Sequence, residues 1–180
     1  MALSRFVAPW SGELLRHRPA GSGRSVVDDS YLGQVDDNRW SVRGVRTYYF
    51  AFDRGVVEAE HARHVGADLP SGHTERLERD VFRVPVALER VLDLTDPQVV
   101  DEMGADPIND WILNLPKTQA AGSYLLSQVP DLQGLVVPSV AFLDDHSRFN
   151  VVVFRDAIDP AATFGPPEFV MSITLEATGA

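Results

Sequence analysis

Two apolar runs near the C-terminal end constrain the fold more than any other feature. Leu135-Val136-Val137-Pro138-Ser139-Val140-Ala141-Phe142 and Phe149-Asn150-Val151-Val152-Val153-Phe154 carry the strongest strand signal in the chain. Short continuous apolar runs rich in β-branched residues are the mark of strands buried in a sheet. Weaker strand signals fall at Tyr48–Phe52, Val81–Leu88, Val91–Leu94 and Val170–Leu175, the last placed to close the sheet. Pro85 puts an edge or a bulge into its strand, because proline has no N–H for the ladder. Helices are expected from Asp53 to about Val65 with Gly66 as the stop, from Asp96-Pro97 onward, and over Thr118–Gln128. Residues 11–38, rich in Gly, Ser, Pro and Asp, read as irregular structure around one short strand. Strands and helices do not alternate regularly, so the expected class is α+β, not a doubly wound parallel sheet.

The 180 residues fit one domain over 1–180, and 44% hydrophobic content supports a real core. No apolar run approaches the ~20 residues of a membrane span. The opening Met1-Ala2-Leu3-Ser4-Arg5 leads into mixed polar residues and does not resemble a secretory leader. The absence of cysteine removes disulfides, thiolate metal sites and a thiol nucleophile, and fits a cytoplasmic setting. A net charge of −10 argues against direct nucleic-acid binding, which needs a cationic footprint. That total is unevenly spread. Residues 1–54 hold eight arginines against six acids, whereas the rest hold eight basic against twenty acidic residues. An anionic ligand would therefore be met by the first third of the chain.

The helix expected over 53–65 carries the most chemistry. At about 100° per residue, Val56, Val57, Glu60 and His64 share one sector, while Glu58 projects from the opposite side. A carboxylate and an imidazole thus fall on the stripe that two valines mark as inward-facing. Burying a carboxylate is costly unless it is paired or used. Three readings are open: a Glu60–His64 pair that satisfies itself, a catalytic carboxylate facing a cleft, or a metal held by His61 and His64. The last lacks the i,i+4 histidine spacing of H-E-x-x-H.

Upstream, Asn38-Arg39-Trp40-Ser41-Val42-Arg43-Gly44 precedes the aromatic strand with Tyr48-Tyr49. Arginine forks beside aromatic faces suit a ligand with phosphates and a flat ring, although an Arg-Trp stack on the surface has the same sequence signature. Gly21-Ser22-Gly23 is a turn or a phosphate cradle. Ser139 lies outside any G-x-S-x-G elbow and so is not marked as a hydrolase nucleophile.

In order and spacing, these pieces resemble the RES-domain family, whose pattern runs from an early W-R-H through R-W-N-x-x-G, a strand tyrosine and a glutamate about eleven residues on, to a late P-S. Leu15-Arg16-His17 matches the first element with Leu for Trp, and Arg39-Trp40-Ser41-Val42-Arg43-Gly44 the second with Ser for Asn. Tyr49, Glu60, His64 and Pro138-Ser139 follow at the family's positions, with Asn150 after the serine. Phe154-Arg155 stands where an asparagine-proline is usual, and Asp37-Asn38 where glycines are. The resemblance implies an ADP-ribosyltransferase-like α+β fold that takes NAD+ as substrate, without a metal, and breaks its nicotinamide–ribose bond. It implies Glu60, Arg39 and Ser139 as catalytic residues, and Arg16, Arg39, Tyr49, Ser139, His64 and Asn150 as ligand contacts. Such proteins are typically bacterial toxins held by a cognate antitoxin; a homo-oligomer is also compatible with the pattern. Two alternatives stand beside it: a metal-dependent hydrolase using Glu60, His61 and His64, and a nucleotide-binding module without turnover.

Overall fold

The computed structural model describes residues 3–34, 38–105 and 107–179, with Asp68 described by its backbone alone. Met1, Ala2, Asp36 and Asp37, which enter the sequence argument, lie outside the described residues. Strands run over Ala8–Pro19 (β1), Thr47–Ala51 (β2), Thr74–Asp93 (β3), Gly134–Pro138 (β4), Phe149–Phe154 (β5) and Glu168–Thr178 (β6). Helices span Arg54–Asp68 (α1), Pro97–Glu102 (α2), Ile108–Ile112 (α3), Leu115–Gln128 (α4) and Pro160–Thr163 (α5). The expected α+β class is the observed one.

Sheet order is β1-β2-β5-β4-β3-β6, and β1 pairs with β3 as well. Five strands therefore close into a ring, with β6 attached outside along β3. The ring is antiparallel except between β3 and β4. Its interior is filled by alternate residues of each strand, including Leu14, Tyr48, Phe50, Val84, Val86, Val151 and Val153. The other face of β4 and β5, with Leu135, Val137, Val152 and Phe154, packs beneath α2, α3 and α4. β4 and β5 thus have apolar neighbours on both faces, which is why they read as unbroken apolar runs rather than as alternating patterns.

Several sequence expectations need correction. The segment 11–38 was expected to hold one short strand, but β1 is twelve residues long, pairing with β3 from Ala8 to Pro19. Its polar face conceals the period, because Arg16 and Arg18 pack along aromatic rings instead of sitting in an apolar stripe. The two strand pieces at 81–88 and 91–94 are one continuous strand. Pro85 sits where β3 has β1 on one side and, on the other, only the bridge Val86–Phe164 between the β6 and β4 pairings. Its missing N–H therefore breaks no ladder. Gly66 does not stop α1, which runs to Asp68. A Cβ there would lie 2.9 Å from the Thr178 carbonyl oxygen, so this glycine allows close approach of α1 to β6.

Candidate active site

α1 begins where expected: the Asp53 side chain caps it by accepting from the Val56 N–H at 2.8 Å. The buried face of the helix is not one straight stripe. Val56 and Val57 are buried in its first turns, followed by His61 and then Gly66. His64, placed by a fixed 100° sector beside Glu60, is instead exposed, and the buried imidazole belongs to His61 at 8% exposure. α1 runs along β6 from Arg54, which reaches the Met171 sulfur at 3.7 Å, to Gly66 against Thr178. Val56 and Val57 join Ala51 of β2 and His61 meets His17 of β1, so the covered side is not the Glu60–His64 sector. A Glu60–His64 pair on one inward stripe is therefore not the arrangement that forms.

Glu60 is the meeting point of three donors from two places in the sequence. Its Oε1 accepts from the Ser139 hydroxyl at 2.6 Å, the Val140 N–H at 2.9 Å and the Asn150 amide at 3.1 Å. Ser139 and Val140 follow directly on β4, and Asn150 lies on the adjoining β5, paired with Val137 and Ala51. Oε2 takes part in none of these three bonds. A carboxylate that accepts several hydrogen bonds on one oxygen is locked in orientation and presents the other oxygen in a fixed place. Ser139 is fully buried, and its hydroxyl goes to Glu60, whereas the sequence reading gave that proton to a ligand.

Glu60 lines a cavity of about 290 Å³ together with Arg16, His17, Tyr49, His61 and Asn150. Arg16 lies over the rings of Tyr48 and Phe50, 5.0 and 5.5 Å from their centroids, and its Nη1 reaches the Tyr49 carbonyl oxygen at 3.5 Å. Burial lowers its guanidinium to about 10, so it stays cationic at neutral pH. Tyr49 is held by its hydroxyl, which accepts from the Trp40 N–H at 3.0 Å, and burial raises its phenol above the ordinary value. Among the residues lining the cavity, the arginine beside aromatic faces is Arg16. Trp40, 1% exposed, is a core residue and offers Arg39 no surface stack. Arg39 is half-buried, donates to the Ile112 carbonyl oxygen and lies outside the cavity lining; burial lowers its guanidinium, with Arg63 adding to and Glu60 opposing the shift.

Sequence reasoning missed the imidazole pair. His17 and His61 meet edge to face with centroids 6.0 Å apart, and the buried His17 Nδ1 and His61 Nε2 have no hydrogen-bond partner among the described residues. Burial, then the charges of Arg79, His61 and Arg16, lower His17 to about 4; burial also lowers His61. The adjacency of β1 to α1 that creates this pair is long-range and leaves no local sequence signal. Among the described residues no group of three or more His, Asp or Glu side chains is placed to hold a metal ion. The Gly21-Ser22-Gly23 segment is a turn: the Gly21 N–H is taken by Asp80, and both glycines have φ near +67°. Ser41 is buried, with its hydroxyl 3.0 Å from that of Thr47.

A strand ring with helices packed against it, and a hydrogen-bonded carboxylate on the wall of an arginine-bearing cavity, defines an α+β domain with one candidate site. More narrowly, the family model described as RES domain matches residues 7–174, and the chain belongs to the RES-domain family. Its fold is similar to a chain in the crystal structure of the M. tuberculosis MbcT-MbcA toxin-antitoxin complex. The TM-score is 0.64 at 19% identity, with 94% of this chain and 86% of that chain covered. No curated protein sequence matches the chain.

Proposed function

We propose that this protein cleaves the nicotinamide–ribose bond of NAD+ and acts as the toxin of a toxin–antitoxin pair. The observation that carries the proposal is Glu60, fixed through one oxygen by Ser139, Val140 and Asn150 on the wall of a cavity shared with Arg16 and Tyr49. When the C–N bond breaks, its electron pair leaves with neutral nicotinamide and positive charge develops on the ribose, as in glycosidic cleavage. The second oxygen of Glu60 stabilises that charge, orients the incoming oxygen nucleophile and takes its proton as the new bond forms. Arg16 binds the pyrophosphate, with Arg39 reinforcing the positive potential, and Tyr49 packs against the nicotinamide ring.

Among the described residues no helix is long and apolar enough to cross a membrane. We place the activity in the cytoplasm, where NAD+ is available and where a toxin needs an inhibitor. The fold's likeness to one partner of a toxin–antitoxin complex supports a cognate antitoxin for this chain. The test is incubation of purified protein with NAD+, with and without phosphate, followed by mass spectrometry. Free nicotinamide is expected, and the co-product (ADP-ribose, its phosphate ester or modified protein) identifies the acceptor. Binding without nicotinamide release would show a module that lacks turnover, and absence of binding would refute the proposal.

A further inference from the structure

At about 290 Å³ the Glu60 cavity stands at the small end of the roughly 300–1,000 Å³ usual for ligand pockets. A dinucleotide that places its reactive ribose beside Glu60 must therefore extend its other half across the cavity mouth. Tyr31, Leu32 and Gly33 are among the residues that line the cavity, and Tyr31 stands on its solvent side. The Tyr31 ring is 57% exposed, and the Arg24 guanidinium lies over it, 4.6 Å from its centroid.

Exposure of this ring is not the product of a loose loop. The Tyr48 hydroxyl donates to the Val27 carbonyl oxygen at 3.2 Å, the Gly44 N–H to the Gly33 carbonyl oxygen at 3.0 Å, and Arg155 pairs with Asp29 at 2.6 Å. Gly33, at φ +76°, supplies the left-handed turn that this bracing needs. Backbone anchored at both flanks thus presents a large aromatic face to solvent beside a cavity. With a cation on one side of it, the ring is a ready platform for a flat heteroaromatic group.

We propose that Tyr31 and Arg24 form the subsite for the purine ring of the substrate's adenosine half, with Tyr31 as the stacking surface. This inference rests on the NAD+ reading and adds to it the site that separates a dinucleotide from a mononucleotide. It is tested by calorimetry with non-cleavable carbocyclic analogues of NAD+ and of nicotinamide mononucleotide. Tyr31→Ala weakens the dinucleotide analogue about ten- to a hundredfold and shifts the mononucleotide analogue by less than about twofold. Tyr31→Trp and Tyr31→Phe retain dinucleotide affinity, and all three variants melt with the parent protein. An unchanged dinucleotide constant in Tyr31→Ala, or equal weakening of both analogues, overturns the subsite while leaving the proposed reaction standing. Failure of the parent protein to bind either analogue refutes the NAD+ reading itself, and the subsite with it.

Discussion

Replacing Glu60 with glutamine separates the charge of this carboxylate from its shape. The glutamine carbonyl oxygen can occupy the Oε1 position and accept the same three bonds from Ser139, Val140 and Asn150. Bonds to a charged acceptor contribute about 1.5–3 kcal/mol and neutral ones about 0.5–1.5 kcal/mol, so three bonds lose about 3–4.5 kcal/mol. The removed desolvation penalty of the carboxylate offsets part of that. Each ~1 kcal/mol of net loss lowers the melting temperature by only about 2–4 °C in a chain of this size. The chemical step should suffer far more: removing one preorganised electrostatic group costs about 10²–10³ in kcat. Glu58→Gln is the matched control, since Glu58 pairs with Arg54 at 2.7 Å on the exposed side of α1. Its loss costs about 0.3–0.5 kcal/mol and leaves turnover intact. Nicotinamide release followed by chromatography reads the rate, and melting curves of both variants read the fold. Equal activity of the two variants, with both folded, would refute the assignment.

Ser139→Ala should lower kcat about tenfold and leave the KM for NAD+ unchanged, because the hydroxyl touches Glu60 and not the cavity. A raised KM at constant kcat would make Ser139 a ligand contact after all. Arg39→Ala, which removes a positive charge from outside the cavity lining, is expected to weaken NAD+ binding by about fivefold or less, read by calorimetry; an unaltered constant would confine Arg39 to its bond with Ile112. His17, held at about 4 against the ordinary 6.5, is neutral in the folded protein while the unfolded chain takes the proton first as pH falls. Its contribution is therefore fully present above pH 6.5 and is lost as pH falls toward 4, by up to about 3 kcal/mol. Melting of the parent and of His17→Gln across that range should give a steeper acid loss for the parent, and parallel curves would refute the buried neutral imidazole.

The sequence by itself determined what depends on near neighbours. The runs at 134–138 and 149–154 are strands because they are dominated by β-branched apolar residues, and Asp53 and Asp96 cap their helices with their own side chains. The Asn114 cap, which starts α4 at Leu115 and not Thr118, escapes the sequence reading. Order and spacing also singled out Glu60, Ser139 and Asn150 before their contact was visible. What the tertiary structure decided is how those residues meet. Ser139 and Asn150 bind the same carboxylate oxygen because β4 and β5 adjoin beneath α1, a juxtaposition spanning about ninety positions of chain. The exchange of His64 for His61 has the same origin. β1 brings His17 against His61, a neighbour that a helical wheel does not contain. β1 escaped detection because the guanidinium groups of Arg16 and Arg18 lie over aromatic rings, a packing that period-2 hydrophobicity cannot register. Local chemistry is written in the chain, but which side chain turns inward is set by the surface that arrives to cover it.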